Sequence, residues 1–312
     1  MRVRHVAGLQ VWLGLAALSA AAQVAVAPAR KPQSPPAAPA PGLRVDSNLV
    51  LVPTSVYDRS NRPIGGLGKQ SFRIFDDGVE QAITHFSMDD EPLAVGLVFD
   101  VSGSMGPGLR RSRFAAHLFF ETANPEDEFC LVEFADRPKL VTPLTQSLAN
   151  VKDELVFTRS SGSTALVDAA VLGLNELKKS SKSRKALLIV SDGGENNSRY
   201  TLREMRNMVR ETDALIYAIL VRGRGGTPEE TDGPWFLKQM TEDSGGRVLP
   251  SEMEEAVIKV SLELRNRYVL GFSPAKQRRD GRYHRVEVKL VPPPGLRNLH
   301  VSWRRGYYAP ED

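Results

Sequence analysis

Only one cysteine occurs in the 312 residues, so no disulfide can close within the chain, and the fold must be held by its core. That residue, Cys130, sits in the apolar run Phe129-Cys130-Leu131-Val132, where a small buried hydrophobe is expected rather than a reactive thiol. No cysteine follows the N-terminal apolar segment, which argues against a lipid anchor there. Histidine is equally scarce. His85, His117, His284 and His300 have no metal-ligand spacing, so a zinc centre finds no support. Gly-x-Ser-x-Gly is missing, because Ser102 occupies the first glycine position around Ser104. Beyond the N-terminus no apolar run is long enough to cross a bilayer. The formal charge is only +4, with no basic helical stripe, so nucleic acid is not an expected partner.

The N-terminus itself is informative. Met1-Arg2-Val3-Arg4-His5 is basic, Val6 to Ala20 is apolar, and Ala20-Ala21-Ala22 supplies small residues before Gln23. This tripartite pattern predicts a signal peptide over residues 1–22, and hence a secreted or periplasmic protein. Its removal takes away Arg2 and Arg4 and no acid, leaving a charge of +2. Residues 23–43 are rich in proline and alanine without apolar period and read as an extended linker.

From residue 44 the pattern turns to short β-like runs: Leu49 to Val52, Val56-Tyr57, Phe72 to Phe75 and Val79 to Phe86, with Asp77-Gly78 as a hairpin signal. Over residues 91–266 apolar strand patterns alternate with helical ones. The strands read as Leu93–Phe99, Phe129–Phe134, Pro138–Thr142, Ala186–Val190, Leu215–Val221 and Arg247–Leu249. Helical patterns fall at Leu109–Ala123, Leu148–Phe157, Thr164–Lys179, Leu202–Glu211, Trp235–Glu242 and Glu252–Leu264. Such βα alternation predicts an α/β domain with a doubly wound, mostly parallel sheet. Residues 267–312 return to β, with a second hairpin signal at Asp280-Gly281. Neither terminal set of strands can bury much apolar surface alone, so residues 44–90 and 267–312 are expected to form one β-sandwich-like domain around the α/β insert.

Within the insert, Leu93–Phe99 delivers Asp100-Val101-Ser102-Gly103-Ser104 to a strand end, where open α/β sheets place their ligands. Asp192 leaves the end of a second buried strand, and Ser161-Gly162-Ser163-Thr164 opens a helical pattern, which places the Thr164 hydroxyl in a first helical turn. If the two strands are neighbours at the switch point of the sheet, Asp100, Ser102, Ser104, Thr164 and Asp192 converge on one crevice. They offer only oxygens and two negative charges, a set suited to Mg²⁺, with Mn²⁺ or Ca²⁺ also compatible.

These segments resemble the von Willebrand factor A (vWA) domain family and its metal-ion-dependent adhesion site. DVSGS at 100–104, the threonine of GSTAL at 164 and the aspartate of IVSDG at 192 match in order and context. The mature chain is also similar to an exported bacterial vWA-related family common in Acidobacteria, through FRIFDDGVEQAITHF, EPLAVGLVFDVSGSM, DEFCLVEFAD and RYVLGFSP. The resemblance implies that Ser102, Ser104 and Thr164 bind the metal directly, and that Asp100 and Asp192 act mostly through water. An acidic residue of a protein or envelope partner would then fill the open position, and the last helix of the insert could move on binding.

The function implied is non-catalytic binding or adhesion. The competing reading is a metal-dependent hydrolase with Glu195 as general base, or a scaffold with a vestigial site. Glu195 is near in sequence, but an acid beside a helix start is commonly a favourable dipole partner.

Overall fold

The computed structural model describes residues 49–88, 91–156, 159–221, 228–249, 253–274 and 279–311. The expected signal peptide and linker lie outside the described residues, all of which fall in one compact unit.

Four short strands come first: β1 (Val50–Tyr57), β2 (Phe72–Asp76), β3 (Val79–Gln81) and β4 (His85–Ser87). The two apolar runs flanking Pro53 are one continuous strand. Proline is tolerated because the pairing of β1 with its neighbour at His300–Trp303 stops opposite Thr54, so the missing N–H costs no ladder bond. The Pro53 carbonyl still accepts from the Arg304 backbone N–H at 3.2 Å.

The insert follows as β5 (Leu93–Asp100), α1 (Leu109–Glu121), β6 (Glu128–Phe134), β7 (Pro138–Thr145), α2 (Leu148–Val156), α3 (Leu166–Leu177) and β8 (Arg184–Ser191). It continues with α4 (Leu202–Glu211), β9 (Ala214–Leu220), α5 (Pro228–Thr241), β10 (Val248–Leu249) and α6 (Met253–Arg265). Its six strands lie in the order β10-β9-β8-β5-β6-β7, all parallel except the edge strand β7. Every residue of β5 is buried. This explains why the run lacks polar alternation: both faces of the sheet are covered by helices. Val95, Leu97 and Phe99 face a core with Phe119, Phe120, Val151 and Val260, from α1, α2 and α6. Ala94 and Val98 face the opposite core, with Leu166, Leu174, Met205 and Leu237, from α3, α4 and α5. At roughly 1.5–3 kcal/mol per buried large aliphatic or aromatic side chain, this double core dispenses with disulfides.

The chain ends in β11 (Tyr268–Phe272), β12 (Tyr283–Leu290), β13 (His300–Trp303) and β14 (Gly306–Tyr308). Two four-stranded sheets result, β13-β1-β11-β4 and β14-β12-β2-β3. Each mixes leading and trailing strands, so the α/β unit is inserted into a sandwich built from both ends. Val52, Ile74, Tyr268, Phe272 and Val288 fill the core between the two sheets.

Several expectations are corrected. Asp77-Gly78 does turn between β2 and β3, with both residues at positive φ (46° and 83°). Asp280-Gly281, by contrast, joins no hairpin. The strands before and after it enter different sheets, and Asp280 bridges Glu311 near the C-terminus. The run Val79 to Phe86 is likewise divided, β3 pairing with β2 and β4 with β11. Strand β14 was not expected, and α5 begins at Pro228, ahead of the apolar period that marks its second half. Thr164 stands two residues before α3, on the loop rather than in the first turn.

Candidate metal centre

Strands β5 and β8 are adjacent and parallel, with Phe99 opposite Val190. β6 lies on one side of β5 and β8 on the other, so their C-terminal ends open at the point where the strand order reverses. Asp100 and Ser191-Asp192 emerge side by side there.

Asp100 is fully buried. Its Oδ1 accepts from the Ser102 backbone N–H at 2.8 Å, and its Oδ2 accepts from the Ser191 hydroxyl at 2.5 Å. Burial outweighs these hydrogen bonds, and the neighbouring Asp192 adds repulsion, so the carboxyl is pushed up to about 6. Ser102 and Ser104 bring their hydroxyls to 3.1 Å of each other. The short helical turn at Gly103–Met105 places both on the same side.

The Thr164 loop is tied to this turn by its backbone. Gly103 N–H donates to the Gly162 carbonyl at 3.0 Å, and Ser161 N–H donates to the Val101 carbonyl at 2.8 Å. Gly162 sits at φ +83°, and a side chain there would run into the Asp136 carboxylate. That carboxylate accepts from Ser163 N–H at 2.7 Å. A Cβ added at Gly194 would lie 3.2 Å from Asp192 Oδ1 and 3.7 Å from Thr164 Oγ1, so both oxygens border the space that glycine leaves open.

The structure therefore gathers the β5 turn, the Thr164 loop and Asp192 at one end of the sheet. Asp192 Oδ1 accepts from Gly194 N–H at 3.0 Å, whereas Oδ2 is buried with no hydrogen-bond partner among the described residues. A buried, unsatisfied carboxylate oxygen costs several kcal/mol unless something positive meets it. Hard oxygens, two carboxylates and one orphaned acceptor fit a divalent cation.

Ser191 was not singled out from sequence, although it directly precedes Asp192. Its hydroxyl donates to Asp100 and accepts from Gly193 N–H at 2.9 Å, linking the two strand ends. Glu195, by contrast, is occupied. Its carboxylate accepts from the Val167 N–H at 2.9 Å, the Ser198 hydroxyl at 2.7 Å, and the N–H groups of Ser198 and Asn197. It pins the 195–198 loop to the first turn of α3. Beside the site, Gly193, Glu195, Pro228, Asp232, Trp235 and Phe236 line a shallow cleft of about 230 Å³, with the Trp235 ring 60% exposed.

A second group lies in the sandwich. Asp76, Asp77 and His284 each present a ligand atom within 4.8 Å of the others. His284 Nδ1 is 2.8 Å from Asp77 and Nε2 is 3.1 Å from Asp280. Burial disfavours its charged form, but the two carboxylates win and raise its pKa. This histidine ties the Asp77 turn to Asp280.

Residues 95–195 match the family model for the von Willebrand factor type A domain. No curated protein matches the sequence. Among solved structures, the chain is similar to a von Willebrand factor type A protein from Catenulispora acidiphila (14% identity over 85% of this chain and 64% of that one, TM-score 0.47). It is also similar to the conserved hypothetical protein BatB from Bacteroides thetaiotaomicron (14% identity, 55% and 97% covered, TM-score 0.45). A third likeness is to the PilB minor pilin from Streptococcus sanguinis (15% identity, 57% and 62% covered, TM-score 0.44).

Proposed function

The chain carries a von Willebrand factor type A domain, and from that premise we propose an exported, non-catalytic binding protein that grips an acidic group of a partner through a divalent cation. The cation, Mg²⁺ in this reading, sits among Asp100, Ser102, Ser104, Thr164 and Asp192. Bound there, it supplies a concentrated positive charge for an incoming carboxylate.

The single observation that carries the reading is the buried Asp192 Oδ2, left without a partner among the described residues. The chain's own residues do the rest. Ser191 and the Ser102 N–H hold Asp100 in place, and the backbone bonds from Gly103 to Gly162 hold the Thr164 loop against the serine turn. Three of the five side chains are neutral, so the ion keeps attraction to spare for an outside acid. Trp235, exposed beside the site, offers the partner a large apolar contact. The engagement of Glu195 by the start of α3 removes the best candidate base and favours binding over hydrolysis.

The test is titration calorimetry with Mg²⁺ on wild type and on Asp192→Ala, paired with recovery of envelope partners with and without EDTA. Mg²⁺ binding that survives Asp192→Ala, or a partner held equally in EDTA, would overturn the metal bridge. Metal-dependent turnover of a phosphoester, peptide or glycan that is lost in Glu195→Gln would move the protein into the enzyme class. Export is tested by intact mass of the native protein, which should begin at Gln23.

A further inference from the structure

The other end of the same sheet carries the opposite charge. A cavity of about 730 Å³ opens there, between the β1 and β11 strands and the first residues of β8. Two guanidinium groups are buried at its wall. Arg184 is 5% exposed and donates to the backbone carbonyls of Leu264 and Glu91. Arg267 is 4% exposed, and its Nε and Nη1 have no hydrogen-bond partner among the described residues.

The field of Glu263 offsets the Arg267 charge only in part, and its carboxylate is engaged elsewhere. Glu263 is held by Arg247 at 2.7 Å and by the Tyr217 hydroxyl at 2.9 Å. Asp213 is paired with Arg304, while Arg210, at the same wall, is paired with Asp243 at 3.1 Å. Burial, with Arg184 adding repulsion, lowers the Arg267 pKa to about 10, so it is still charged at neutral pH. A buried cation with unmet N–H groups is costly unless an anion reaches it.

The remaining wall combines polar residues, Glu91 and Glu211 among them, with an apolar strip. Leu49 and Leu51 are 40% and 43% exposed, and Val269 and Tyr308 continue the surface. The volume lies within the range that encloses a small organic ligand. We propose that this cavity binds a small amphipathic carboxylate, with its head on Arg267 and its apolar body along Leu49, Leu51 and Val269. The chain's own segment from Gln23 to Asn48 is a poor occupant, since its cations Arg30, Lys31 and Arg44 outnumber its one acid, Asp46. The site is independent of the metal centre: β8 runs eight residues from Arg184 to Ser191, roughly 25 Å.

Calorimetric titration of the full mature chain in EDTA tests this, with decanoate, decanol, acetate and acetyl-trileucine as probes. Decanoate or acetyl-trileucine should bind at least tenfold tighter than decanol and acetate, and the tighter of the two assigns an acyl or a peptide source. Arg267→Gln should weaken that binding tenfold or more. Leu51→Asp, on an exposed side chain, should do the same without lowering the melting temperature, which guards against an Arg267 variant that fails to fold. Decanol binding as well as the carboxylates, acetate binding alone, no binding by any probe, or full binding by Leu51→Asp would each overturn the proposal. Because EDTA is present throughout, a failure here leaves the metal-bridge reading untouched, and the reverse also holds.

Discussion

The two ends of the parallel sheet share one set of strands yet bury opposite charges. At the C-terminal end, Asp100 and Asp192 sit side by side, one with its pKa raised and the other with an orphaned oxygen. At the N-terminal end, Arg184 repels Arg267, and Glu263, which offsets that charge in part, is already engaged by Arg247. Ordinary buried charges in this protein are matched: Asp243 takes both Arg206 and Arg210, and Asp127 takes Arg265. The contrast sets these two sites, each open to a ligand, against buried charges such as Asp243 and Asp127 that are paired for structure.

Breaking the frame that holds both ends should have the largest effect. The boundaries 44–90 plus 267–312 against 91–266 remain a proposal, and deletion of residues 267–312 tests them. It removes both partners of β1 and the principal partner of β2. Limited proteolysis should then cut within 44–90 while sparing 93–266; equal protection would mean that the terminal strands fold independently.

Gly193→Ala attacks the acidic end alone. Its φ of +84° and the Gly233 carbonyl oxygen 2.4 Å from an added Cβ leave no room, so thermal unfolding should show a loss of about 3 kcal/mol or more.

Removing charge sharpens the comparison further. Asp192→Ala should weaken Mg²⁺ by on the order of 100-fold in calorimetry. Thr164→Ala, which deletes a neutral ligand, should cost about tenfold or less.

Asp100 gives the pH dependence. Its carboxyl pKa in the folded state, about 6, lies above the ordinary 3.8, so its stabilising contribution is complete below 3.8 and is lost as pH rises through 6. In EDTA, Asp100→Asn should therefore gain on wild type by up to about 3 kcal/mol between pH 4 and pH 8, measured by denaturant unfolding. Saturating Mg²⁺ should erase that gain.

The smallest effect belongs to His284, whose raised pKa stabilises the sandwich at low pH and ceases to do so as pH rises through the shifted value. His284→Gln should flatten the melting temperature between pH 6 and pH 9 by a degree or two.

The sequence by itself determined the α/β insert, because a strand buried on both faces must be apolar at every position, and β5 and β8 are nearly so. The same logic reached Asp100 and Asp192 at their ends, while Thr164, on the loop before α3, came from its place ahead of a helical pattern. Local pattern could not fix what depends on partners distant in the chain. Val79 to Phe86 looks like one strand but serves two sheets, and Asp280-Gly281 looks like a hairpin although its flanking strands separate. Glu195 could be read as a base or as a helix-end partner until the Val167 and Ser198 hydrogen bonds decided for the latter. Arg267 carried no signal at all. An arginine before a strand is ordinary, and only the packing of β11 and α6 around it, with every nearby acid already engaged, made its charge an unmet one. Pairing and burial are properties of the assembled chain, and residue order specifies them only through the fold.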